Sequence, residues 1–152
     1  MIRIKKFHNE DALKVAKIIK DGFLALSPKF YSKKSVLWQI GENSPKKLLE
    51  KAKNVSYFVA VENNKILGIG GYNAEKVHTF FVKPEIQGQG IGSKILERCF
   101  REAQKQGINQ LKCWATFSAE KFYSKFGFKK LKEITIRDDK NSISFIEMVK
   151  LL

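Results

Sequence analysis

The stretch Phe80-Phe81-Val82-Lys83-Pro84-Glu85-Ile86-Gln87-Gly88-Gln89-Gly90-Ile91-Gly92-Ser93 limits the fold more than any other part of this sequence. It begins inside an apolar run, Val77 to Val82, that reads as a strand and is broken by Pro84. It then opens into a helix whose apolar stripe is Ile91, Ile95, Leu96, Cys99, Phe100 and Ala103, ending at Gly107. Residues 108 to 115 read as strand again, and a strand-helix-strand unit over 77 to 115 needs a parallel pair with a right-handed crossover. Between strand and helix, Gly88, Gly90 and Gly92 remove the side chains that would hold a ligand away from the backbone. Free N–H groups at a helix start, with its positive dipole end, suit a pyrophosphate. Taken alone, the same glycines also suit a tight turn.

The rest of the chain divides around this unit. Residues 2 to 7 alternate apolar and basic as a half-buried strand does, and Asn9 stands where a helix N-cap belongs, before Ala12, Val15, Ala16, Ile19 and Phe23 at helical spacing. Asp21-Gly22 weakens that helix near its end, and Ser27-Pro28 and Gly41 to Pro45 bracket a short second helix with loops. Residues 57 to 61 and 66 to 69 form a hairpin across Asn63-Asn64, since paired asparagines tolerate the left-handed turn. Residues 118 to 126 read as a helix capped by Gly127, and 131 to 137 with 143 to 150 as a final hairpin around Asp138 to Asn141. The order β-α-α-β-β-β-α-β-α-β-β is mixed α+β. At 152 residues the whole of 1–152 is expected to be one domain.

Composition narrows the function. The net charge of +14 attracts phosphate, yet the arginines are Arg3, Arg98, Arg101 and Arg137 alone and the lysines are scattered. A nucleic-acid surface usually leans on arginine for bidentate recognition, so nucleic acid is the weaker partner class. The two cysteines, Cys99 and Cys113, make neither a metal cluster nor a disulfide scaffold and point to a reducing cytoplasm. No apolar stretch is long enough for a membrane span, and Met1 is followed by basic and polar residues rather than a leader core.

The dinucleotide fingerprint needs a glycine where Ser93 stands, and the Walker loop needs Gly-Lys-Ser/Thr, so neither describes this loop. Gln87, Gly90 and Gly92 behind Val82 and Pro84 instead resemble the cofactor motif of the GNAT superfamily of N-acetyltransferases, Gln/Arg-x-x-Gly-x-Gly/Ala after a Val-x-Pro strand exit. Ala119, Tyr123, Gly127 and Phe128 are similar to that family's Ala-x-x-x-Tyr-x-x-x-Gly-Phe helix, and Ile2 to Ile4 with Asp11-Ala12 to its opening. The resemblance spans the chain, with residues 27 to 54 matching only in length and texture. Thr116 stands where the family often has Asn.

The resemblance implies the GNAT-type fold, a central, mostly antiparallel mixed sheet flanked by helices, with the parallel unit at the cofactor site. It further implies direct transfer of acetyl from acetyl-CoA to an amine acceptor, small molecule or peptide, without a metal. Phe81 and Val82 would pair with the pantetheine arm, and the N–H groups of Gln87, Gly88, Gln89, Gly90, Ile91, Gly92 and Ser93 would hold the pyrophosphate. Tyr123 would protonate the departing thiolate, although Ala119, Phe122, Tyr123 and Phe126 also recur at core-packing spacing. Members of the family commonly dimerise, so a homodimer is an expected state.

The acceptor amine must lose a proton, and His78 in the strand or Glu75 through a water are the candidate bases, with an ordinary strand histidine the competing reading for His78. Tyr31 and Trp38, with Phe30, are candidate walls of an acceptor pocket, against a reading as plain core. Two rival functions keep other parts of this evidence: a non-catalytic acyl-CoA-sensing module of the same fold, and a basic nucleic-acid-binding protein.

Overall fold

The computed structural model describes residues 1–152. Strand β1 (Arg3–Lys6) leads into helix α1 (Ala12–Leu24), followed by α2 (Lys33–Glu42) and α3 (Pro45–Lys51). Strands β2 (Ser56–Glu62), β3 (Lys65–Tyr72) and β4 (Val77–Val82) then precede α4 (Ile91–Lys105). The chain closes with β5 (Gln110–Ala115), α5 (Glu120–Lys125), β6 (Lys129–Arg137) and β7 (Ser142–Leu151). The fold is mixed α+β, and no helix is long and apolar enough to cross a membrane.

Most elements stand where the sequence puts them, for the expected reasons. Asn63 and Asn64 take φ of 51° and 62°, the left-handed pair that a two-residue hairpin requires. Helix α4 buries Ile91, Ile95, Leu96, Cys99 and Ala103. Asn9 is not the cap of α1: residues Asn9–Asp11 form a single 3₁₀ turn, because the Asp11 carboxylate reaches back to accept from the His8 N–H at 2.9 Å. Helix α3 was not expected. Its start was nonetheless legible, with Ser44 accepting from the Lys47 N–H at 3.3 Å and Pro45 at the first helical position, where its missing N–H costs nothing.

The parallel pair is present but short. Strands β1 to β4 form one antiparallel sheet in chain order, and β5, β7 and β6 form another with β7 in the middle. β4 and β5 meet only at a parallel bridge between Lys76 and Lys112, where the Lys112 N–H donates to the Glu75 carbonyl at 3.0 Å. Beyond that point they part, so β4 is an edge strand, half-buried along most of its length, rather than a central one.

The cause is local to β4. His78 pairs with Gly71 and Phe81 with Ile69, leaving Thr79 and Phe80 opposite Gly70 alone. This is a β-bulge, and Thr79 takes φ of 56°, a conformation that a β-branched residue adopts only under constraint. Gly70 is required opposite the bulge, since a Cβ there would stand 2.6 Å from the Phe80 ring and 2.8 Å from Ile95. On its other edge β5 is fully paired with β7, from Gln110 against Leu151 to Ala115 against Ile146. With β4 bent away from the free edge of β5, a wedge opens between the sheets.

Helices cover both faces. α4 and α5 pack with Phe58, Ala60, Tyr72 and Met148 in one cluster, and α1 to α3 pack with Val59, Val61, Ile69 and Phe145 in the other. Gly22, read from sequence as a weak point in α1, has a different role: a Cβ there would collide with the ring of Phe81, so the glycine lets α1 settle onto β4. Alanine has the higher helix propensity by about 0.8–1 kcal/mol, but overpacking costs about 1–3 kcal/mol. Gly22→Ala is therefore expected to lower the urea midpoint rather than raise it. A midpoint shifted upward would show that the seat of α1 on Phe81 is loose.

Candidate active site

The glycine loop begins where β4 ends. Val82 turns its carbonyl to the edge away from β3 and accepts from the Gln87 side chain at 3.3 Å, while the next N–H, of Lys83, goes back to Leu67 on β3 at 3.0 Å. One 3₁₀ turn over Pro84–Ile86 then delivers the chain to Gly88 and Gly90, with φ of 83° and 81°. Both conformations favour glycine, and a Cβ at either would meet nothing within 4 Å, so the outer face of the loop is open. Gly90 caps α4, and no backbone or side-chain acceptor takes the N–H groups of residues 88 to 93. A row of free donors at the start of a helix this long has the chemistry that suits phosphate oxygens. The Gln87 side chain, turned back to Val82, is part of the loop's brace rather than its open face.

Between β4 and β5 the wedge forms a cavity of about 260 Å³. Its walls come from both sheets and both helical layers, including His78, Thr79, Phe80 and Phe81 of β4, Cys113 and Trp114 of β5, and Tyr123 of α5. Helix α5 links this cavity to the loop, because Phe122 lies 3.3 Å from where a Gly92 Cβ would be and its neighbour Tyr123 faces the cavity.

Tyr123 is held by rings on three sides: Phe80 at 6.3 Å, Phe122 at 5.2 Å and Phe128 at 5.4 Å between centroids, each edge-on. Its hydroxyl has no hydrogen-bond partner in the protein, and burial pushes the phenol well above its ordinary value of 10. Cys113 and Cys99 push it further in the same direction. Burial pushes Cys99 and Cys113 up to about 12, so both stay uncharged, and Cys113 in the cavity wall is not a thiolate nucleophile.

His78 lines the cavity with Nε2 sealed from solvent and without a hydrogen-bond partner. Burial, reinforced by Lys76 and Lys51, lowers its pKa to about 4. The sequence expectation of a base titrating near neutrality is thus corrected: this imidazole is uncharged at pH 7. Glu75 is exposed and does not reach the cavity; its carbonyl is spent on the bridge to Lys112.

The two expected acceptor walls lie elsewhere. Tyr31 is buried outside the cavity, its hydroxyl donating to the Ser144 carbonyl at 2.7 Å and accepting from the Phe117 N–H at 3.2 Å, so it clamps three segments together. Trp38 packs half-buried on the core beneath α1 and also misses the cavity. The next residue of the same helix α2, Gln39, and Asn43 just past its end line it instead; α3 supplies Lys51, and Lys76 enters just before β4. No motif marked these four, since only the packing of α2 and α3 over the wedge brings them to β4. Thr116, in the place of the family's Asn, lines the cavity with its hydroxyl 3.1 Å from that of Ser118. No three His, Cys, Asp or Glu side chains stand together as a metal site.

Known proteins share this architecture. A crystal structure of a GCN5-related N-acetyltransferase from Rhodopseudomonas palustris superposes with a TM-score of 0.91 at 18% identity, covering 99% of this chain and 95% of that one. The PaiA N-acetyltransferase of Thermoplasma acidophilum, solved in complex with coenzyme A, gives 0.83 at 20% identity over 100% of this chain and 99% of the other. In sequence, 75 residues are 31% identical to an uncharacterized N-acetyltransferase of Methanocaldococcus jannaschii; the match takes in 47% of this chain and 33% of that protein, so it spans about a third of the relative's length. Residues 25–152 match the acetyltransferase (GNAT) domain, which covers the loop, the wedge and Tyr123 alike, and the chain belongs to the GNAT acetyltransferase family.

Proposed function

We propose that this protein is an N-acetyltransferase that moves the acetyl group of acetyl-CoA directly to a primary amine. One observation supports the reading above the rest: a helix start with unpaired N–H donors and a cavity lined by Tyr123 lie at the two ends of one opened strand edge, β4. The coenzyme A complex of the Thermoplasma acidophilum relative supports the same choice of donor. Acetyl-CoA would supply the thioester, and the residues of this chain do the rest.

In this reading the N–H groups of residues 88 to 93 bind the pyrophosphate, and the free edge of β4 at Val82 pairs with the pantetheine arm. Phe81 meets the arm through its backbone, because its ring packs tilted against Phe23, 4.8 Å between centroids. Backbone N–H groups along the bent part of β4 donate to the carbonyl oxygen as charge gathers there, the fixed-donor arrangement that stabilises such charge best. Tyr123 is protonated at every working pH and donates to the departing sulfur. His78, uncharged, lines the path of the incoming amine without repelling it. The unpaired, buried thiols Cys99 and Cys113 fit a reducing cytoplasm.

Acetyl-CoA at about 100 times its dissociation constant is expected to stabilise the fold by about 2.7 kcal/mol, or roughly 5–10 °C in Tm for a domain of this size. Gly90→Ala forces a side chain into a left-handed position at a cost of about 1–2 kcal/mol, and calorimetry should find weakened acetyl-CoA binding. No thermal shift at millimolar acetyl-CoA would remove the donor from this proposal.

Tyr123→Phe leaves no partner stranded and keeps the ring packing, so Tm should hold while turnover, followed by coenzyme A release, falls about 10²- to 10⁴-fold. Turnover within about threefold of wild type, under about 0.7 kcal/mol in barrier, would return Tyr123 to a packing role.

The depressed pKa of His78 sets the sign of the pH dependence. A group with a pKa of about 4 is already deprotonated above pH 5, so it adds no bend near 6.5. kcat/KM should climb with pH toward the acceptor amine's own pKa, about 10.4 for a lysine-like amine. A bend near 6.5 that disappears in His78→Asn would mean that the imidazole titrates normally.

A further inference from the structure

We propose that the acceptor amine carries an anionic group, a carboxylate or a phosphate, that Lys51 and Lys76 hold at the α3 side of the cavity. The inference rests on the transferase reading above and specifies its acceptor. Seventeen residues line the cavity, and none is aspartate or glutamate. A cationic acceptor such as a polyamine or an aminoglycoside would leave a desolvated charge facing lysines, with no carboxylate to meet it.

Both lysines are fixed and lack a counter-ion. Lys51 Nζ donates to Asn43 Oδ1 at 3.0 Å, and Asn43, itself buried, is oriented by donating from Nδ2 to the Gln39 carbonyl at 2.9 Å. Lys76 Nζ sits 3.1 Å above the centroid of the Trp114 ring. Neither ammonium takes part in a salt bridge. The acids nearest in charge are engaged elsewhere or exposed: Glu42 binds Lys47 at 3.1 Å, Glu147 accepts from the Trp114 indole at 3.1 Å, and Glu75 faces solvent. Burial lowers both lysine pKa values from their ordinary 10.5, the mark of charges short of compensation.

His78 completes the arrangement. It lines the same cavity as the two lysines and is uncharged. An anion between Lys51 and Lys76 would thus direct the amine of the same molecule past a neutral group toward β4 and Tyr123. The apolar remainder of the wall, Phe23, Phe81, Ile136 and Phe145, suits a short carbon skeleton between the two ends. Charge complementarity of this kind selects partners more than it adds raw affinity.

The test is titration calorimetry on the protein saturated with coenzyme A, using matched pairs: L-alanine and L-leucine against their α-amides, phosphoethanolamine against ethanolamine, and putrescine as a dication. The anionic member of one pair should bind about tenfold or more tighter than its partner, with the amino-acid and phosphoethanolamine arms separating carboxylate from phosphate. Lys51→Gln and Lys76→Gln should each cut that preference about threefold or more, while Lys51→Arg retains it, and circular dichroism melts should show both Gln variants folded. Equal or tighter binding of the amides, ethanolamine or putrescine, no binding of any anionic member, or a preference unchanged in both Gln variants would overturn the proposal. Failure of the transferase reading itself shows separately, as the lack of a thermal shift with acetyl-CoA.

Discussion

The bend at Thr79 is the constraint on which the site depends. An edge strand that continued straight past Lys76 would pair with β5 along its length, and one continuous sheet without a gap would result. Instead the extra residue opposite Gly70 turns β4 away, and Thr79 holds a left-handed backbone that no β-branched residue prefers. Its hydroxyl lies 3.3 Å from that of Tyr57, one strand beyond, and the phenol is buried in the core under α1 to α3. Strain at the cavity is thus held in place by packing behind it. The freed edge of β4 is what an extended ligand can pair with, in the way that a peptide adds to an open sheet.

Around that bend, the charges divide the wedge into ends of different chemistry. At the loop, glycine removes side chains so that main-chain dipoles face outward, and the helix behind them adds its field. In the middle, Tyr123 and Cys113 are protonated because they are dry, which keeps neutral donors rather than anions beside the place where sulfur would leave. Toward α3, Lys51 and Lys76 face inward with no carboxylate partner, and burial, reinforced by their field, keeps His78 uncharged. The basic surface of the whole chain is therefore distinct from these two inward lysines, whose positions rather than number matter.

Several residues show how far the chain could be read unaided. The α4 stripe, the Asn63-Asn64 hairpin and the glycine loop were legible because each depends on a short-range rule: helical period, turn dihedral, or the absence of a Cβ. Tyr31 was readable as a buried aromatic but not as a clamp, since Ser144 and Phe117 lie far from it in sequence. Gly22 read as a helix weakness because its real constraint, the Phe81 ring, belongs to another element. Trp38 was the more conspicuous residue of α2, yet Gln39 and Asn43 reach the cavity, because the face a helix turns to a site is set by what it packs against.

The sequence by itself determined most of the elements and their order, the glycine loop and the tyrosine that the helix after β5 would carry, all through local periodicity and backbone chemistry; helix α3 escaped it. The tertiary structure alone decided that β4 and β5 diverge, since the ladder fails where the bulge opposite Gly70 bends β4 away. It also decided which charges meet in the gap. Lys51, Lys76 and His78 come together from separate segments, and their influence on one another is a matter of distance and burial, neither of which spacing along the chain encodes.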